Sequence, residues 1–319
     1  MAYHPRIETP DLATFITSRT RNSELWFANN KPVEDFALGL LAKLIDRYKT
    51  KLYAFSLEGS HHHDAMKFPL LNRADFARDF NSGLARAVAR LTPNYPGGRL
   101  FERRYSSEMI ASDEDIEWQF FYTVLQPVKD GLVERISDYP GYNCFHDAVC
   151  GIARKHKVVN WAKYNAAIKR NRKVNLIDYI EVFELKYERL PGYEGLTQHE
   201  YRVLMEKKLE EHRQQILRER RAAGKFGFLG AEALKKTIPG TRARNPKKSD
   251  LKTHRPRVLS VCHKRRAEMK KWYFDIYFSF KHSSRRYMAG ELDVEFPPGT
   301  YRPPMWMVVR PSGPYSLIH

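Results

Sequence analysis

Residues Lys51 to Phe68 constrain the fold most. Lys51 to Leu57 (KLYAFSL) reads as a strand, Glu58-Gly59-Ser60 as a tight turn, and His61 to Phe68 as the returning antiparallel strand, closed by Pro69. Alternate side chains of an extended segment share a face. His61 and His63 therefore point together, spaced to grip one divalent cation, while His62 faces the other way. A histidine run beside a turn is more often solvated surface than a metal site, so the rest of the chain must decide.

Upstream, Leu12 to Arg19 is short, rich in threonine and β-branched residues, and runs into the polar turn Thr20-Arg21-Asn22-Ser23, which predicts a strand. Pro32 and Val33 open a helix whose apolar positions Phe36, Leu40, Leu41, Leu44 and Ile45 recur at helical spacing. Asn72 to Leu91 is a second helix, with Phe76, Phe80, Leu84, Val88 and Leu91 on one face. After a loop from Pro93 to Gly98, Tyr105 to Ile110 is another short strand. Ser112 then caps a third helix with Asp113, Glu114 and Asp115 in its first turn, where carboxylates suit the helix dipole; Pro127 ends it. Strand, helix, hairpin, helix, strand, helix describes an α+β fold with helices packed on an antiparallel sheet.

Beyond about residue 150 the texture changes. Residues 1–150 carry 18 Lys/Arg against 20 Asp/Glu, a net of −2, whereas residues 151–319 carry 37 against 17, a net of +20. The basic excess, and with it the long-range attraction for a polyanion such as nucleic acid, belongs to the second half. That half holds a basic stretch from Lys163 to Lys173 and a long charged helix from Gln198 to Ala223 ending in Arg218, Arg220 and Arg221. A basic linker or arm from Gly240 to Arg257 follows, then an aromatic helix from Ala267 to Met288 and an irregular segment from Phe296 to Pro304.

Hydrophobic content of 42% excludes a disordered chain, and no stretch approaches the ~18 apolar residues of a membrane span. Cys144, Cys150 and Cys262 show no CxxC spacing and are expected to be reduced thiols. The first residues, MAYHPRIETPD, lack an apolar leader core, so a cytoplasmic protein is expected. His146, His254, His263 and His282 are too scattered for a zinc hydrolase.

On the third helix Trp118, Tyr122 and Gln126 form one stripe and Ile116, Phe120 and Thr123 the opposite, core-facing one. Tyr122 is thus not needed by the apolar face. If this helix packs beside the histidine strand, His61, His63 and the Gln126 side-chain oxygen would make a facial site for Mg²⁺ or Mn²⁺, with positions open to phosphate oxygens. Tyr122 would stand next to the polarised phosphodiester. A tyrosine hydroxyl ionises near pH ~10 and is a poor nucleophile at neutrality, a handicap that a metal offsets.

These residues resemble a known family. Thr17-Ser18-Arg19, Tyr53 to Leu57 followed by His61-His62-His63, Leu100 to Tyr105, Tyr122 through Gln126-Pro127-Val128-Lys129-Asp130-Gly131-Leu132-Val133, and Ser137 to Pro140 match, in order, the motifs of the single-tyrosine HUH transposases, specifically the REP-associated tyrosine transposases. Val261-Cys262-His263 and Phe296 to Pro304 look like the C-terminal extension of longer members. The resemblance implies a ferredoxin-like HUH core over residues 1–150 and a basic, mostly helical extension over 151–319. It implies Tyr122 as nucleophile, His61, His63 and Gln126 as ligands of Mg²⁺ or Mn²⁺, and cleavage and rejoining of single-stranded DNA near a hairpin through a 5′-phosphotyrosine link. A bacterial, nucleoid-associated protein acting as monomer or homodimer is the corresponding expectation.

Arg19, Arg21, Arg103 and Arg104 are candidate phosphate contacts, with Arg218 and Arg221 as further DNA-binding residues. The chain departs from the family at His62 and Asp64, where bulky apolar residues are usual, at Gln126, where asparagine is commoner, and at Glu58-Gly59-Ser60. A domesticated, catalytically weak or inactive DNA-binding protein on the same scaffold is the competing reading.

Overall fold

The computed structural model describes residues 5–170, 173–243 and 258–308. Strand β1 (Ala13–Arg19) leads to helix α1 (Lys31–Tyr48), the hairpin β2 (Lys51–Glu58) and β3 (His61–Lys67), helix α2 (Arg73–Leu91) and strand β4 (Ser106–Ile110). The sheet order is β2-β3-β1-β4, every neighbouring pair antiparallel. Strands β1 and β2 are therefore separated by β3, and each β-to-β connection through a helix spans a neighbour. Pro32 in the first turn of α1 and Lys49 in the left-handed region (φ 51°) mark where that helix begins and stops.

α1 and α2 pack closely, since a Cβ on Gly83 would collide with Leu40 Cδ2. Phe76, Phe80, Leu84 and Val88 are buried as their spacing predicts, whereas Leu91, at the end of α2, is 40% exposed. Helix α3 (Asp113–Val124) covers the opposite face of the sheet from α2: His62 meets Phe80 of α2, and His63 meets Tyr122 of α3. Its predicted core stripe, Ile116, Phe120 and Thr123, is buried. The helix stops at Val124, three residues before Pro127, and a one-turn helix α4 (Gln126–Lys129) restarts the chain with that proline in its first turn.

The second half, expected to be mostly helical, also contains strands. After α5 (Phe145–Cys150) come strand β5 (Arg154–Val159), helix α6 (Trp161–Arg170) and strand β6 (Ile180–Leu185). β5 and β6 form a separate antiparallel ribbon against the outer side of α1, where Lys43 reaches Glu181 and lies over Phe183. Gly39 is buried under that cover, where a Cβ would lie 3.1 Å from Val158 Cγ2; Val33, Ala37, Leu38, Leu41 and Leu44 are buried in the core, while Phe36, Leu40 and Ile45 are only half-buried. Helix α7 (Gln198–Ala222), opened by a Thr197/Glu200 capping box, and the short α8 (Ala231–Lys235) follow. Strand β7 (Val258–Leu259) adds a fifth, parallel strand beside β4 and leads into α9 (His263–Met288). The segment 296–304 is irregular, as predicted, and docks on the start of the chain through Glu8 N donating to Gly299 O (2.9 Å). Most of the predicted linker, residues 244–257, lies outside the described residues. Among the described residues no helix is long and apolar enough to cross a membrane.

A single buried cluster runs from Phe15, Phe55 and Phe120 through Cys144 to Leu185, Tyr187, Tyr201, Met205 and Leu217. A core shared across position 150 should unfold as one unit. Tryptophan fluorescence and circular dichroism are expected to report one coincident denaturant transition. Tyr201→Ala should lower the stability of that whole transition by about 3–5 kcal/mol; two separate transitions, with only one sensitive to the substitution, would contradict a shared core.

Candidate active site

β3 is the inner strand of the hairpin, and its register sorts the histidine triplet. His63 lies opposite Thr17 of β1 and Ser56 of β2; His61 lies opposite Arg19 and Glu58. Cross-strand partners share a face, so all six line the face under α3. Thr17 Oγ1 and His63 Nδ1 are 2.9 Å apart, and Phe15 stacks on the His63 ring at 5.1 Å. With Nδ1 engaged, Nε2 is the ring atom left to bind elsewhere. Burial, then the neighbouring His61, holds His63 well below the ordinary histidine pKa, in its neutral, lone-pair-bearing form. The His61 ring stands edge-on to His63 at 4.7 Å, with Nδ1 3.3 Å from Ser60 Oγ.

Tyr122 is half-buried over this face. Its ring centroid lies 5.9 Å from that of His63 and 5.8 Å from Phe15, and Lys129 Nζ sits 4.4 Å above the tyrosine ring. Burial, then Asp130 and Glu108, raise the phenol's pKa, while Arg19 pulls it down. Gln126 is buried, and its Nε2 donates to Asp130 Oδ2 (3.1 Å), which orients the carboxamide. Gln126 Oε1 and His63 Nε2 are buried acceptors without a hydrogen-bond partner. Such atoms are costly to leave unsatisfied, and a bound divalent cation would engage them; this donor chemistry fits the ion that the sequence implies. Among the described residues no group of three His, Cys, Asp or Glu could hold a metal, so the implied set is two imidazoles with a carboxamide. The buried Glu58 is raised to about 8 by burial and then by Asp130, against a hydrogen bond from Tyr139.

The two departures from the family's strand pattern turn out to belong together. On the α2 face, His62 Nδ1 meets Asp64 Oδ1 (3.1 Å) and His62 Nε2 meets Asn81 Oδ1 (2.9 Å), while Asn81 Nδ2 donates to Ser18 Oγ (3.0 Å). Both ring nitrogens face acceptors. Burial opposes the imidazolium, but the Asp64 carboxylate and these hydrogen bonds outweigh it and raise the pKa. His62 and Asp64 are thus a buried pair beneath the sheet, on the face away from Tyr122.

The arginines fall into two groups. Arg19 is half-buried beside the histidines; Arg21, Arg103 and Arg104 are exposed near the same end of β1, where Glu102 N donates to Arg19 O (3.0 Å). Arg218 and Arg221 are exposed at the end of α7, next to Arg220, which donates to Lys129 O (3.2 Å). Arg213, in the same basic run, is buried and paired with Glu210 and Glu134, which removes it from any DNA-facing surface. Sequence reasoning assigned no role to Phe15, Lys129 or Asp130. Lys129 and Asp130 sit in the quoted motif after Tyr122, so spacing could have flagged them; Phe15 carried no signal beyond strand alternation.

No family model matches the chain, and no curated protein matches it. Among solved structures it is similar to a REP-associated tyrosine transposase bound to a REP hairpin, at 19% identity over 47% of this chain and 86% of that one (TM-score 0.39). It is also similar to a putative transposase from Deinococcus radiodurans R1, at 15% identity over 35% of this chain and 88% of that one (TM-score 0.27).

The His62/Asp64 pair makes a prediction of its own. Asp64→Val strands a buried imidazole and should cost about 3–5 kcal/mol in urea unfolding, whereas the double change His62→Leu with Asp64→Val, compared with both single changes, should recover most of that loss. Additive losses in this double-mutant cycle would rule out the pair.

Proposed function

We propose that this chain cleaves and rejoins single-stranded DNA through Tyr122, as a transposase of the single-tyrosine HUH type built on a ferredoxin-like core. The observation that carries the reading is the Tyr122 ring lying against His63 on the face of the sheet where His63 Nε2 and Gln126 Oε1 are buried polar atoms without a hydrogen-bond partner. The split β-α-β-β-α-β order supports the ferredoxin-like assignment. The departures at His62 and Asp64 lie on the opposite face, which favours an intact site over a degenerate one.

In the proposed reaction the Tyr122 hydroxyl loses its proton as its oxygen bonds to the scissile phosphorus. The bond from phosphorus to the 3′ oxygen breaks, that oxygen takes up a proton as a free 3′-OH, and the 5′ phosphate remains on Tyr122. A 3′-OH reverses the step, so joining needs no ATP. A divalent cation, Mg²⁺ or Mn²⁺, held by His61, His63 and Gln126 would withdraw charge from the phosphate oxygens. Thr17 and Phe15 hold the His63 ring in place, and Gln126 is oriented by Asp130. Lys129 over the ring, together with Arg19, favours the phenolate as it forms, against the burial that keeps the resting phenol protonated. The substrate would be hairpin-forming repeat DNA, with Arg19, Arg21, Arg103, Arg104, Arg218 and Arg221 contacting phosphates.

Incubating the full chain with hairpin-bearing single-stranded DNA and Mg²⁺ or Mn²⁺ should give a covalent adduct resolvable on a denaturing gel. Tyr122→Phe should abolish it, as should EDTA, and His63→Ala should slow it by at least about 100-fold. Absence of any Tyr122-dependent adduct from the unaltered chain would overturn the enzyme reading in favour of a DNA-binding protein. Arg103→Ala with Arg104→Ala should weaken binding across sequences and reduce the salt slope by about 1.4, or roughly 0.7 for each phosphate no longer neutralised; an unchanged slope would take both residues out of the interface.

A further inference from the structure

Helix α9 carries eight Lys/Arg against two acids, and its buried positions, Tyr273, Phe280, Ser283, Ser284 and Tyr287, lie on one side. At 100° per residue the opposite side presents the exposed Lys270, Lys271, Phe278 and Arg285, with Lys281 half-buried beside them and Phe274 half-buried against the cluster of Ile7, Met109, Val258 and Tyr273. Phe278 is 60% exposed, with Phe274 one turn before it, ring centroids 6.3 Å apart. Three cations of this helix are engaged locally: Arg265 with Ser112 and Glu114, Arg266 with Ser260 O, and Arg286 with Glu291. Lys270, Lys271, Lys281 and Arg285 have no carboxylate at ion-pair distance among the described residues. Lys270 and Lys271 therefore lie two turns before this outward-facing ring, and Lys281 and Arg285 one and two turns after it.

We propose that this face of α9 is a binding platform for single-stranded DNA, on which an unpaired base stacks against Phe278 while Lys270, Lys281 and Arg285 meet the phosphates on either side. A solvated phenylalanine is unfavourable in isolation, and a cationic surround repels basic partners and suits a polyanion. Base faces are available for stacking only where the strand is unpaired, which selects single-stranded over duplex DNA. The inference rests on the proposed single-stranded DNA substrate but not on cleavage: Arg265, at the start of α9, touches the first turn of α3, whereas Lys270, Phe278, Lys281 and Arg285 make none of the contacts described around Tyr122.

The test uses the full-length Tyr122→Phe chain in EDTA with a fluorescent oligothymidine too simple to form a hairpin, read by anisotropy. Phe278→Ala should weaken binding at least about fivefold, Phe278→Trp should match or exceed the parent, and duplex of equal length should be bound equally by all three. Lys270→Ala, Lys281→Ala and Arg285→Ala together should reduce the salt slope by about 2. Undiminished oligothymidine binding by Phe278→Ala, when the unaltered chain with Mg²⁺ or Mn²⁺ cleaves hairpin DNA in a parallel assay, would overturn the platform alone. A change in sedimentation without a change in DNA affinity would also overturn it, by making the face a protein contact. No single-stranded DNA binding by any form of the chain would overturn this proposal and the proposed substrate together.

Discussion

The two-sided pairing of β3 is the constraint on which the rest depends. Because β3 is bonded to β1 on one side and β2 on the other, its register is set twice, and a one-residue slip would exchange its faces. In the observed register His61 and His63 face α3, while His62 and Asp64 face α2. The same alternation therefore builds two unrelated polar assemblies from four consecutive residues. One leaves His63 Nε2 without a hydrogen-bond partner; the other ties His62 to Asp64 and, through Asn81, to Ser18.

The helix bearing Tyr122 and the segment after it are braced by the second half of the chain as well as by the sheet. Lys208 pairs with Glu117 at 2.6 Å, His212 stacks on Phe121 at 4.5 Å, and buried Arg213 reaches Glu134. Gly131, at φ 75°, leaves room for the Arg220 guanidinium, which would lie 2.6 Å from a Cβ there. At the other end of α3, Arg265 donates to Ser112 Oγ and Val261 N to Asp115 Oδ1. The half that carries the positive charge is thus also the half that positions the candidate nucleophile, so electrostatic attraction and site geometry are physically joined.

Much of this was legible from local pattern. Strand and helix positions in residues 12–124 followed from period-two and 3.6-residue spacing, and Ile116, Phe120 and Thr123 were correctly assigned to the core. The ribbon β5–β6 and the parallel strand β7 were not foreseen. β5 is basic and half-exposed, and β7 is two residues long, so neither carries the apolar alternation that marks a strand; both exist because a distant surface, α1 in one case and β4 in the other, offers a partner. The end of α3 at Val124 was likewise set by the restart at α4, not by Pro127 itself.

By itself the sequence determined which residues could share a face: His61 with His63, Tyr122 with Trp118, and the excess charge with the second half. These follow from backbone periodicity and composition, which are local. Only the tertiary structure decided that Tyr122 lies against His63, that His62 finds Asp64 and Asn81, and that α7 and Arg265 brace α3 from the second half. Those contacts join residues up to about 150 positions apart, and no local spacing encodes them; they arise because each buried cluster draws its apolar faces from both halves at once.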